Sequence, residues 1–102
     1  MSIKKRYLKR KGVCQVTFAV SKIEGEGSRS VHVVGEFNNW STTATPMKRL
    51  HSGGFTTSLE LRPGQRYQFR YLFDGHLWDN EKDADDFAET PFFDARNSVL
   101  DL

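Results

Sequence analysis

Trp40 follows the pair Asn38-Asn39 at the end of an apolar alternation, and Trp78 follows the turn signal Asp74-Gly75. Both are large apolar groups at positions where loops, not core, are expected. The chemistry open to them is that of a sugar. A pyranose ring presents C–H groups on its flat faces, which an indole can cover, and hydroxyls around its rim, which rigid fork donors or amides can pair with. The competing role for each tryptophan is a plug closing one end of the fold, and composition alone leaves the two roles even.

Signatures of catalysis are missing. No Gly-x-Ser-x-Gly elbow occurs, and Gly53-Gly54 sits in a turn with no helix behind it, so it does not cradle a phosphate. His32, His51 and His76 are isolated, without a second ligand at metal spacing. The run Asp79-Asn80-Glu81-Lys82-Asp83-Ala84-Asp85 resembles a calcium loop but has Ala84 where that loop needs Gly and Thr90 where it needs Glu. It is expected to be a solvated acidic loop. Neither a catalytic residue, a cofactor nor a metal is expected.

The net charge of +2 conceals a gradient. Lys4, Lys5, Arg6, Lys9, Arg10 and Lys11 make residues 1–12 purely basic, whereas residues 79–102 hold eight acids against Lys82 and Arg96. Ends of opposite sign attract each other within one domain, which weakens any case for a polyanion partner. Aromatics beside bases are the mark of single-strand nucleic-acid binders. Here the aromatics alternate as a core face does, and no nucleic acid is expected.

At 102 residues the chain is one domain, too short for a (β/α)₈ barrel of about 250 residues. No apolar run approaches the roughly 20 residues of a membrane span. Cys14 is the only cysteine, so no intrachain disulfide forms and a reducing, cytoplasmic setting is expected. Val13 to Val20 is interrupted by Gln15 and Thr17 and lacks a following cleavage site, unlike a signal peptide. Residues 1–12 read as a basic N-terminal arm and residues 13–102 as the module.

Alternation of period two dominates the elements that must position the tryptophans. Cys14, Val16, Phe18 and Val20 share one face; Val31, Val33, Gly35 and Phe37 share another; Phe55, Thr57, Leu59 and Leu61 a third. Tyr67, Phe69, Tyr71 and Phe73 alternate with Gln68, Arg70 and Leu72, and Asp74-Gly75 then marks a hairpin leading to Trp78. Met47–Leu50 and Asn97–Leu102 complete about seven strands, while the pattern disappears between Asp79 and Arg96. An all-β, immunoglobulin-like antiparallel β-sandwich is expected, with a small barrel as its rival.

The strings Val34-Gly35-Glu36-Phe37-Asn38-Asn39-Trp40 and Tyr67-Gln68-Phe69-Arg70-Tyr71-Leu72-Phe73-Asp74-Gly75, followed by Trp78 and Asn97-Ser98-Val99, resemble carbohydrate-binding module family 48. This is the isoamylase N-terminal, early-set type of module, found also as the glycogen-binding domain of AMP-activated protein kinase. The likeness runs from about Cys14 to Leu102, and the chain looks like a free-standing, short bacterial form. The resemblance implies an early-set sandwich that binds an α-glucan such as glycogen, starch or a maltooligosaccharide without catalysis. It also implies that Trp40 and Trp78 stack on glucose, with Arg70 standing where glycogen binders have Lys. Trp78 lies three residues past Gly75, where those binders have two. Asn97 matches an Asn that pairs with hydroxyls, and Phe93 and Ala95 occupy the rough positions of two further contacts. A second function implied by the family is docking of an amylolytic or branching enzyme in trans, which would bury both tryptophans.

Overall fold

The computed structural model describes residues 1–91 and 95–102. These form nine strands: β1 (Ser2–Leu8), β2 (Val13–Val20), β3 (Val31–Gly35), β4 (Lys48–Arg49), β5 (Phe55–Leu61), β6 (Arg66–Phe73), β7 (Leu77–Asp79), β8 (Asp86–Glu89) and β9 (Arg96–Asp101). One antiparallel sheet has the order β1-β2-β5-β4, the other β3-β6-β9-β8, with β7 added to β6. The fold is the expected all-β sandwich, and no α-helix occurs among the described residues.

The alternating residues meet between the sheets. Cys14, Val16, Phe18 and Val20 of β2 pack against Val31 and Val33 of β3, Phe69 and Tyr71 of β6 and Leu100 of β9, all nearly or wholly buried. Phe18 meets Phe69 edge-on at 5.4 Å between ring centroids, and Phe69 meets Tyr71 at 5.9 Å and 88°. Each such buried side chain contributes about 1.5–3 kcal/mol of transfer free energy. The aromatics of β6 are thus core, as their spacing predicts.

Three expectations need correction. Residues 2–8 are not an arm beside the module: β1 pairs with β2 along its length, from Ser2 opposite Ala19 to Leu8 opposite Val13. Lys5 hides the alternation, because it stands opposite Val16 where an apolar residue is expected, and its stem is half-buried beneath a charged tip. Its Nζ donates to Asp85 Oδ2 at 2.6 Å and to the Asp101 carbonyl at 3.0 Å, so the basic and acidic ends of the chain do meet.

The patternless acidic segment contains a further strand, β8, which pairs with β9 from Asp86 opposite Val99 to Glu89 opposite Arg96. At a sheet edge, backbone bonds to one neighbour suffice and leave no alternation to read. With β1 and β8, which the alternation does not reveal, the strands among the described residues number nine.

The loop from Asp79 to Asp85 is not wholly solvated, since Glu81 is 0% exposed. Its Oε1 accepts the Tyr71 hydroxyl at 2.7 Å and its Oε2 accepts the Asp83 N–H at 2.9 Å. The Glu81 N–H donates to Ser98 Oγ at 2.8 Å, and that hydroxyl donates to Asn80 Oδ1 at 2.8 Å. Burial, followed by the charge and hydrogen bond of Glu81, pushes the Tyr71 hydroxyl far above its ordinary range. The Glu81 carboxylate thereby ties the segment that follows Trp78 to β6, and its backbone N–H ties it to β9.

Candidate functional site

Gln68 and Arg70 of β6, which do not face the core, form the floor of a groove on the outer surface of the second sheet. Arg70 lies opposite Val34 of β3, and Leu72 lies opposite both His32 of β3 and Trp78 of β7. Val34 and Leu72 are buried yet stand apart from the core cluster. They give the outer face an apolar base beneath its polar residues.

Trp40 reaches this face through an unusual turn. Gly35 ends β3 where a Cβ would lie 2.6 Å from both the Gln68 carbonyl oxygen and Phe69 Cβ, so the close approach of β3 to β6 requires glycine. A single 3₁₀ turn, Glu36–Asn38, follows. Phe37 turns inward against Phe18 at 5.9 Å and Phe69 at 6.2 Å. Asn38 staples the turn: its Oδ1 accepts the Gly35 N–H at 3.1 Å, and its Nδ2 donates to the Val33 carbonyl at 2.9 Å and to Thr45 Oγ1 at 3.0 Å. Asn39 and Trp40 then both adopt left-handed backbone, with φ of 57° and 58°. The Trp40 N–H closes the loop on the Gly35 carbonyl at 2.8 Å. Left-handed backbone is uncommon for a bulky residue, and here it leaves the indole 39% exposed.

Trp78 is positioned by the hairpin. Asp74 and Gly75 have φ of 52° and 76°, the mirror-image turn that Asp-Gly favours. Asp74 Oδ1 accepts the backbone N–H groups of Arg29 at 2.7 Å and Ser30 at 3.1 Å. Those two bonds hold its carboxyl below the usual carboxylate range. With His76 as a third loop residue, Trp78 falls opposite Leu72 on the outer face and is 47% exposed. Neither tryptophan plugs an end of the sandwich.

Between them Arg70 Nε donates to Asn97 Oδ1 at 2.7 Å, and Asn97 Nδ2 donates to Gln68 Oε1 at 2.9 Å. Trp40, Arg70, Trp78 and Asn97, the four residues singled out from the sequence, all line one groove of about 530 Å³. That volume lies within the range of small-ligand sites. Glu36, Gln68, Glu89, Thr90 and Pro91 line it as well. Gln68 could have been found, two positions from Arg70 on the same strand face. Glu36 sits inside the Gly-Glu-Phe-Asn string, whereas Glu89 to Pro91 carry no pattern. Thr90 is tied down by its Oγ1, which donates to the Ala95 carbonyl at 3.0 Å. Phe93 lies outside the described residues, and Ala95 is not among the residues lining the groove.

A family model described as the glycogen recognition site of AMP-activated protein kinase matches residues 19–90. The chain belongs to this family. It is a carbohydrate-binding module, a non-catalytic type of domain. The matched span contains Trp40, Arg70 and Trp78 and stops short of Asn97. Comparison of the module with characterised proteins gives no match.

Proposed function

We propose that the module binds α-glucan chains, such as glycogen, starch or maltooligosaccharides, along the outer face of the second sheet. Trp40 and Trp78 stack on glucose rings, while Arg70 and Asn97 donate hydrogen bonds to hydroxyl oxygens between them. The observation that carries this reading is the convergence of all four residues on one groove, with both indoles partly exposed. The docking alternative predicts that both tryptophans are buried, and their partial exposure favours the sugar.

Two stacked tryptophans, each contributing about 1.5–3 kcal/mol of burial before ordering costs, place a single module in the micromolar-to-millimolar range, about −4 to −8 kcal/mol. Such affinity becomes effective on a polymer that offers many sites. Affinity gel electrophoresis through amylose and glycogen tests this. The wild type is retarded, and Trp40→Ala and Trp78→Ala, both folded by circular dichroism, migrate as they do without polysaccharide. Equal mobility of all three proteins with and without polysaccharide refutes the reading.

A further inference from the structure

Gln68 stands outside the four residues assigned to the sugar, yet it closes a hydrogen-bond relay across the groove floor. Arg70 is a donor only, so the Asn97 atom 2.7 Å from its Nε is the carbonyl oxygen. That orientation turns the Asn97 amide nitrogen toward Gln68, and the atom it meets at 2.9 Å is then the Gln68 carbonyl oxygen. The guanidinium thus dictates both amides in turn. Inverting either one sets two donors or two acceptors face to face. The Gln68 backbone is also held, its N–H donating to Glu36 Oε1 at 2.6 Å.

We propose that Gln68 is a positioning residue of the groove, whose carbonyl holds in place the Asn97 amide that Arg70 orients, so that the floor offers the ligand mainly donors. Each side-chain carbonyl of the relay already accepts one hydrogen bond within it. The groups left to meet a ligand are the Arg70 Nη atoms, the second Asn97 N–H and the Gln68 amide hydrogens. Acceptors stand instead in the Glu36 and Glu89 carboxylates that line the same groove. A glucan hydroxyl satisfies both kinds of partner, its oxygen accepting from the floor and its hydrogen turned to a carboxylate or to water. The inference rests on the glucan reading of the groove.

The test pairs Gln68→Met, which keeps the bulk and removes the acceptor, with Gln68→Glu, which keeps an acceptor for Asn97 Nδ2. The Asn97 side-chain amide signals of ¹⁵N-labelled protein are read without sugar, and calorimetry with maltoheptaose reads affinity. In Gln68→Met the Asn97 amide signals move and affinity falls about fivefold, the scale of one hydrogen bond. In Gln68→Glu the Asn97 signals return toward their wild-type positions and affinity exceeds that of Gln68→Met. Asn97 signals unmoved by Gln68→Met overturn the proposal, as does Gln68→Glu binding no better than Gln68→Met. Absence of binding by the wild type defeats the glucan reading instead, and the sugar-free amide signals still decide the relay.

Discussion

On its inner face β6 presents Phe69 and Tyr71, both 0% exposed, within a cluster of edge-on rings. On its outer face the same strand presents Gln68 and Arg70, half-buried and joined to Asn97 of β9 by side-chain hydrogen bonds. The inner residues gain their free energy on folding, whereas the polar outer residues exchange one set of hydrogen bonds for another at small net gain. On the glucan reading proposed above, one strand divides the labour between stability and recognition, and the division falls between neighbouring residues. Changes on the inner face should be felt first as unfolding and those on the outer face as lost binding.

The largest effect is expected from Phe69→Ala, which leaves a cavity among Phe18, Phe37 and Tyr71. A loss of about 3–5 kcal/mol in urea unfolding is expected. A loss below about 1 kcal/mol would break the division. Tyr71→Phe comes next, because it takes one donor from the buried Glu81 carboxylate. Hydrogen bonds to charged groups contribute about 1.5–3 kcal/mol, to be read in the same experiment.

Gly35→Ala is the variant that should affect both faces. Its Cβ would lie 2.6 Å from the Gln68 carbonyl oxygen and from Phe69 Cβ, parting β3 from β6. Overpacking of this kind costs about 1–3 kcal/mol. Glucan retardation should weaken alongside, because the turn bearing Trp40 moves with β3. Arg70→Lys sharpens the outer side of the comparison. A lysine ammonium lacks the guanidinium fork, so affinity for maltoheptaose should drop while unfolding stays within about 0.5 kcal/mol of wild type.

The smallest effect concerns Asp74, whose bonds to the Arg29 and Ser30 N–H groups brace the hairpin below Trp78. Its carboxyl is depressed in the folded protein, so its contribution is complete above the ordinary value of about 3.9 and is lost as pH falls through the lower folded value. Asp74→Asn should be less stable at neutral pH and should show a flatter acid limb in urea midpoints measured against pH. Parallel acid limbs for the two proteins would contradict this.

Much of this division was legible because β-strands alternate with period two. Tyr67 to Phe73 read directly as one buried face, and Arg70, placed between them, had to point outward. Trp40 and Trp78 declared themselves by standing beside turn residues. The illegible parts each have a physical cause. Lys5 concealed β1 because a long stem can occupy an apolar position while its charge stays in water. Glu81 read as one acid in an acidic run, since nothing local shows that the Tyr71 hydroxyl and the Asp83 N–H wait for it. Glu89 to Pro91 reach the groove by the course of the chain after an edge strand, which no periodicity encodes.

The contact between Lys5 and Asp85 bears on how copies of the molecule meet in solution. Among the described residues both β1 and β8 stand at the end of a sheet. Two β1 edges approaching each other bring Lys4, Lys5 and Arg6 against the same cations, and two β8 edges bring Asp86 and Glu89 against the same anions. Like charges at identical edges disfavour strand addition between them, a common safeguard against aggregation, although Asp86 is already paired with Arg66 within each molecule. At the same time Lys5 already holds Asp85 within each molecule, at 2.6 Å. High salt screens that repulsion, so the safeguard between identical edges should weaken as ionic strength rises.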